Sequence, residues 1–493
     1  EDFPEDPWLR RGASAPGYVP ARTKDGHWFQ LANIVERLFR TMIQTLDLDS
    51  IYEDPRFKTA PVLLQDDRDT LRDMILERVQ EKTLDEWMDV FINQTANVAA
   101  EPFTTAQDGM NHPQLVHSGQ VVEVDDPGVG PMRQIGPLVA MGEYPGGPKG
   151  PAPLPGQHTQ ETLGMLGNDA KTSQTFPAGT LPKYPLEGIT VLNLSTVIAG
   201  PPACCLVAEL GARVIRIEPL EGENGRLNQM GIGVHRTMAG NEGLCLDLKT
   251  AEGQEIIHKL IAKADILLHS MRPGAPERLG IGYEQVAKIN PQMIYVYAAG
   301  YGSTGPHSHR PAMHPISGAV CGGALAQLGR DTLPSPSESL SFEEVREISR
   351  KLNRANEPNP DPSSSMVHSA AMLLGLYARQ RSGKGQYIES TMLMANAYAN
   401  AEDFFQYEGK PPRRVPNAEG YGTGALNRLY QARGGWVFLA CPFEREWRDL
   451  CRTVGRPDLL EDPRFVSAED RERHDTALAG ELERVFSTRE PLE

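Results

Sequence analysis

The 493-residue sequence is poor in the features that would place it in a membrane, outside the cell or on nucleic acid. No apolar run approaches the roughly 18 residues that a membrane span needs. The opening EDFPEDPWLRR lacks the charged-then-apolar pattern of a secretory leader. Six cysteines (Cys204, Cys205, Cys245, Cys321, Cys441 and Cys451) include no CxxC pair and no metal-ligand spacing. Such usage fits a reducing compartment, so a cytoplasmic location and no metal are expected. Basic residues are also short, 49 Lys and Arg against 65 Asp and Glu, for a formal net charge of −16. A nucleic-acid partner needs a basic surface and is excluded. Any anionic ligand must instead be held by local dipoles and a few arginines. The remaining composition, 40% hydrophobic and 23% charged, is that of a soluble globular protein with length for several domains.

The chain contains a repeat. DGHWFQLANIVERLF at 25–39 resembles GGWVFLACPFEREW at 434–447, and DPRF occurs at 54–57 and 462–465. One shift of 408 takes Trp28 to Trp436 and Asp54 to Asp462, so the copies align without a gap. Residues 1–165 therefore read as the back part of one unit and 187–493 as the front part of a second, truncated one. Between them, 166–186 reads as linker, preceded by the Pro/Gly-rich surface stretch YPGGPKGPAPLPGQHTQETLG at 144–164. The expectation is a fragment of a longer tandem protein.

From residue 188 the pattern is α/β. ITVLNLS at 189–195, RVIRIEP at 213–219, LCLDLK, DILLHSM at 265–271 and MIYVYAAGYG at 293–302 read as strands. Helical stretches at 199–212 and 252–264 lie between them, and the insert 331–360 carries an amphipathic helix at about 340–353. Strands alternating with helices predict a parallel sheet with ligands at the carboxyl ends of its strands. Two places there carry candidate chemistry. Thr196-Val-Ile-Ala-Gly-Pro-Pro202 is a strand-to-helix turn of small residues whose amides can approach a ligand, or simply a turn. Asp361, in NPDPSSSMVHSAAMLLGLYARQRSGKGQ, opens a helix patterned by Met366, Ala370, Leu373, Leu374 and Tyr377 and closed by Gly383. From local sequence Asp361 is either a cap or a carboxylate nucleophile at a helix end.

The runs LEGITVLNLSTVIAGP, LGARVIRIEPL, LDLKTAEGQEII, KADILLHSMRPGAPERLGIGYE, INPQMIYVYAAGYGSTGP and LLGLYARQRSGKGQYIESTM closely resemble the family III CoA-transferases. This is the CaiB/BaiF family, which includes formyl-CoA transferase, carnitine CoA-transferase and α-methylacyl-CoA racemase. DPRF, LDEWMDVF and HPQLVHSGQVVEVDDPGVGPMRQIGP resemble its carboxyl-terminal part, so the likeness covers nearly the whole chain in permuted order. It implies a Rossmann-like parallel sheet domain with a smaller α+β domain, in tandem copies, forming an interlocked dimer or an intramolecular pseudo-dimer. The implied activity transfers coenzyme A from an acyl-CoA donor to a carboxylate acceptor, with CoA as substrate and no tightly bound cofactor. Asp361 falls on the catalytic aspartate, which forms an acyl anhydride and then an enzyme-CoA thioester. Val197, Ala199, Ser270, Met271 and Arg278 match CoA-pocket positions, and Gly422 and Gly424 fall near a flexible glycine loop.

Four departures stand out. Ile198 replaces a glutamine common in transferases, Pro219 a basic residue, Glu242-Gly243 a basic pair, and His314 an acidic residue. They leave two alternatives beside the transferase: an α-methylacyl-CoA racemase-type isomerase, and a degenerate, non-catalytic CoA-binding copy. The family's racemase histidine falls at Met313, which cannot move a proton, and His314 is one position on.

Overall fold

The computed structural model describes residues 16–95, 97–167, 182–223, 234–329, 332–356 and 360–491. Most of the expected linker 166–186 lies outside them. The rest divides into two compact units, one within Glu1–Ala324 and Ser339–Lys410, the other within Leu325–Glu338 and Pro411–Glu493. No helix among the described residues is long and apolar enough to cross a membrane.

In the first unit, β1 (Tyr18–Arg22) and β2 (Trp28–Ala32) pair antiparallel, with β3 (Ala100–Pro102) on the far side of β2. Every residue of β1 and β2 is buried, because both faces are covered. On one side Val19, Ala21, Phe29 and Leu31 join Phe39, Ile75, Trp87 and Phe91 in an apolar core. On the other side the helix Phe342–Asn356 is bound to the sheet: Ser349 Oγ donates to Pro20 O at 2.6 Å and Asn356 Nδ2 to Gln30 Oε1 at 2.9 Å. The amphipathic helix expected in the 331–360 insert is this element. Helix α1 (Glu36–Thr45) follows β2. A second hairpin, β4 (Val121–Asp126) and β5 (Gly130–Ile135), completes this part of the chain.

The larger sheet has seven strands. β6 (Ala140–Met141), which precedes the stretch read as a parallel sheet, lies antiparallel at one edge. The others are parallel: β7 (Thr190–Leu194), β8 (Arg213–Glu218), β9 (Asn241–Cys245), β10 (Ile266–His269), β11 (Ile294–Tyr297) and β12 (Gln386–Glu389). The order is β6-β12-β11-β10-β7-β8-β9, so succession runs outward in both directions from the β7–β10 pair. Strands buried on both faces are mostly apolar, as VLNL and ILLH are, with Asn193 and His269 as buried polar exceptions. Helix α2 (Pro201–Glu209) packs on one face, α3 (His314–Val320) lies beyond β11, and α4 (Pro360–Ser382) packs beside α2. A last strand of this unit, β13 (Phe405–Tyr407), pairs with β5.

The structure corrects the reading of α4. Met366, Leu374 and Tyr377 point outward, and Met366 is 63% exposed. The buried face is instead Val367, His368, Ala371, Met372, Gly375 and Ala378. The closest approach of helix and sheet needs a glycine: a Cβ on Gly375 would stand 2.5 Å from Ile294 Cγ2 and 2.8 Å from Ile388 Cδ1.

The second unit holds β14 (Gly422–Gly424), β15 (Asn427–Ala432), β16 (Gly435–Ala440) and helix α5 (Glu444–Thr453). The two similar stretches also share local structure. Helix α5 has the span of α1 shifted by 408, and both DPRF segments close the same ring. The Asp54 carboxylate accepts from Arg56 N at 2.9 Å and from its guanidinium, and Asp462 does the same with Arg464, also at 2.9 Å.

Candidate active site

In an open parallel sheet the loops part where strand order reverses, leaving a crevice at the carboxyl ends of the strands. Here the reversal lies between β7 and β10. A cavity of about 280 Å³ opens there, walled by the loops after β7, β10 and β11, by the start of α4, and by residues 18–38 of the amino-terminal part.

The turn after β7 is held in an unusual conformation. Val197 has φ +65°, a region that β-branched residues rarely enter. Such strain persists only where surroundings enforce it, and it clusters at functional sites. Three contacts enforce it here. Val197 N donates to Glu223 Oε2 at 3.2 Å, and Glu223 is gripped by the buried Arg216 at 3.0 Å. Thr196 N donates to Ser270 Oγ at 3.2 Å, which joins this turn to the loop after β10. Ser365 Oγ on α4 donates to Ala199 O at 2.8 Å. Gly200 has no room for a side chain, since a Cβ would meet Ser195 Cβ at 2.4 Å.

Asp361 stands in the first turn of α4, following Pro360, and lines the cavity. It is not the simple cap of the sequence reading, and the serines behind it do not cap either. Ser364 and Ser365 donate back to the carbonyls of Pro360 and Asp361, at 2.7 and 3.0 Å. The Asp361 side chain is 13% exposed, and burial pushes its carboxyl up to about 7. The helix end acts in the opposite sense, since its dipole favours the anion. His314, first residue of α3, places Nδ1 3.5 Å from Asp361 Oδ2. Burial lowers that imidazole to about 4. The edge of the Tyr18 ring packs against it, with centroids 5.1 Å apart.

Of the residues singled out from sequence, Val197, Ile198, Ala199, Ser270, His314 and Asp361 share this cavity wall. Met271 packs instead with the apolar cluster behind the sheet, and its amide donates to the buried His269 at 3.2 Å, which shapes the loop. Arg278 is exposed at the end of the short helix Ala275–Arg278 and is not part of the wall. Gly422 and Gly424 form β14 in the second unit. Of the departures, Glu242 pairs with Arg213 on β8 at 2.8 Å.

Sequence reading missed Tyr18, Arg37, Arg272 and Arg310, all of which line the cavity. Arg272 could have been marked, as it follows Ser270-Met271. Nothing local marks Tyr18 or Arg37, which reach the site only through packing. Arg310 is buried against Glu101, with His307 and His112 beside them. Glu101, His112 and His307 have the spacing of metal ligands. The Arg310 guanidinium already lies among them, bonded to Glu101 and 2.8 Å from His307 Nδ1, in the place of a cation.

Residues 5–159 and 186–493 match the profile described as CoA-transferase family III. The acetyl-CoA:oxalate CoA-transferase of Acetobacter aceti is 32% identical over 326 residues, 64% of this chain and 78% of that protein. The succinate–glutarate CoA-transferase of Agrobacterium fabrum is 26% identical over 331 residues, 62% of this chain and 74% of that protein. The crystal structure of Rv3272 from Mycobacterium tuberculosis superposes with a TM-score of 0.51 at 25% identity, over 63% of this chain and 79% of that one.

Proposed function

The chain belongs to CoA-transferase family III, and from that premise we propose that it moves coenzyme A from an acyl-CoA to a free carboxylic acid, with Asp361 as covalent nucleophile. The observation that carries this is a lone buried carboxylate at a helix start, facing a cavity at the reversal of strand order. Burial makes Asp361 more basic than an ordinary aspartate, and therefore a better nucleophile once ionised. Its oxygen attacks the thioester carbonyl, the C–S bond breaks, and CoA leaves as thiolate. The thiolate attacks the aspartyl carbonyl of the anhydride, which gives an enzyme-CoA thioester and frees the first acid. The second acid attacks that thioester and displaces the thiolate. The thiolate then takes the new acyl group and restores the Asp361 carboxylate. No proton is gained or lost over the cycle. Val197, Ala199 and Ser270 would line the path of the CoA thioester and the exposed Arg278 its outer part, while Met271 would act only through the loop that it anchors. Ile198 in the wall lends apolar rather than hydrogen-bonding surface.

The six parallel strands are Rossmann-like in order, and the repeated elements support tandem copies, with 1–165 and 187–493 as parts of two. Gly422 and Gly424 would then serve a site of the interlocked dimer or pseudo-dimer.

The contact between His314 and Asp361 favours a second reading, proton transfer at the α-carbon of a 2-methylacyl-CoA. A racemase needs its two groups on opposite faces of that carbon. At 3.5 Å apart the two side chains touch each other and leave no space for a carbon between them.

One experiment separates the readings. Acyl-CoA and a labelled acid are incubated in deuterated water, with product and protein followed by mass spectrometry. CoA should pass to the labelled acid without α-deuteration, with a CoA adduct on Asp361. In Asp361→Asn, transfer should fall by several orders of magnitude. Full activity in that variant would leave this copy as the non-catalytic one. Rapid α-deuteration without an acceptor would make the enzyme an isomerase.

A further inference from the structure

Three arginines face the cavity, and one of them is neutralised by a carboxylate among the described residues. Arg310 has Glu101. Arg37 and Arg272 have no carboxylate partner among the described residues; both guanidiniums donate to the amide oxygen Asn97 Oδ1, at 3.5 and 3.1 Å, and Arg272 also to His309 O at 3.1 Å. One neutral acceptor thus gathers two positive charges that repel each other. The Arg272 guanidinium is pushed below its ordinary range, by burial first and by Arg37 second.

A third source of positive potential meets them. Ile34, Val35, Arg37 and Leu38, at the start of the ten-residue helix α1, line the same cavity. Val35 supplies no side-chain cap, so the first-turn amides have no acceptor among the described residues. Glu36, the acidic residue of that turn, is engaged by Arg40 at 3.0 Å. Two guanidiniums and an uncapped helix end therefore converge on a space that Asp361 also lines. That combination is the complement of an oxyanion with two acceptor atoms.

We propose that Arg37, Arg272 and the amino end of α1 hold the second carboxylate of a short dicarboxylic acid, whose first carboxylate reacts at Asp361. This rests on the transfer chemistry proposed above. Pockets for drug-sized ligands run to roughly 300–1,000 Å³. A cavity of about 280 Å³ suits a short acid, and of an acyl-CoA it takes in only the acyl-thioester end. The thioester end of an acyl-CoA must also reach Asp361, but it lies a pantetheine arm away from the CoA phosphates, so an oxyanion held in this cavity beside Asp361 is read as a carboxylate. Planar guanidinium forks match a carboxylate in a way that ammonium groups do not. A CoA phosphate offers the same oxyanion chemistry and is the competing occupant.

Equilibrium dialysis of the full chain with glutarate, valerate, CoA and dephospho-CoA distinguishes the two. Glutarate should bind more tightly than valerate, which lacks the second carboxylate. Arg272→Gln and Arg37→Gln should each weaken glutarate by about tenfold or more, the scale of losing a charged hydrogen-bond partner. In exchange assays the glutarate-to-valerate ratio of kcat/KM should fall by a similar factor, carried by KM. Arg37 is exposed, so its replacement leaves folding out of the comparison. Equal binding of glutarate and valerate by the parent protein overturns the proposal. So does a loss of CoA affinity in the variants with glutarate binding retained, which would assign the arginines to phosphate. Because dialysis needs no turnover, arginine-dependent glutarate binding without any CoA transfer would leave this site standing and refute the transferase reading alone.

Discussion

At the scale of single residues, the decisive quantity is the proton on Asp361. Only the carboxylate attacks a thioester, and burial pushes its carboxyl up to about 7. His314, lowered to about 4, is neutral across the same range and supplies no edge of its own there. The kcat/KM of the free enzyme should therefore rise with pH up to about 7 and then level off; a profile already flat from pH 5 would contradict the role given to this carboxyl. The same shift has a consequence for folding. The folded state retains a proton that an unfolded aspartate, at 3.8, releases. Stability from this group is thus present below about pH 4 and is lost as pH rises towards 7. Asp361→Asn cannot ionise, so it should exceed the parent in stability at pH 8 by about 1–3 kcal/mol, the scale of one to two pKa units. The advantage should vanish near pH 4. Urea denaturation at both pH values measures it.

At the scale of elements, α4 shows how packing overrides apolar count. Its largest apolar side chains face outward, because closeness to the sheet matters more than the size of the buried groups. Gly375 is where helix and strands approach most tightly, against Ile294 and Ile388. Alanine is the better helix former by about 1 kcal/mol. Gly375→Ala should nevertheless lower stability by about 1–3 kcal/mol, the usual penalty for overpacking, read as a fall in Tm. The displaced helix carries Asp361, so transfer should fall with it. A rise in Tm would mean that the strands yield at no cost. The turn after β7 follows the same logic: Val197 holds its strained backbone because Glu223, Ser270 and Ser365 fasten that turn on three sides.

At the scale of the whole molecule, the repeat offers one piece of sequence in two environments. Trp28 is buried under the covering layers of β2, whereas its counterpart Trp436 is 46% exposed and Phe438 on the same strand is 57% exposed. Large exposed aromatic patches mark surfaces that meet a partner. Under the proposed dimer of two chains, this face is covered in the assembly. Phe438→Asp should then shift the protein from dimer to monomer, as read by light scattering on a sizing column at micromolar concentration. Unaltered mass would remove this face from the interface.

Much of the architecture was legible because it is local. Runs such as ITVLNLS and DILLHSM can be buried only as strands of a covered parallel sheet, and the 408-residue shift between the two DPRF segments is visible in the sequence alone. Asp361, Val197, Ala199 and Ser270, which line the cavity, were singled out because the runs around them resemble the family's motifs. The composition of the cavity was not legible. Tyr18 touches His314 across nearly three hundred residues, and Arg37 meets Arg272 through Asn97. The outward stripe of α4 was misread for the same reason, since only the spacing between helix and sheet decides which side chains fit. Periodicity and propensity act over a few turns of chain, whereas burial, charge pairing and raised carboxyl pKa values depend on which distant segments share one space.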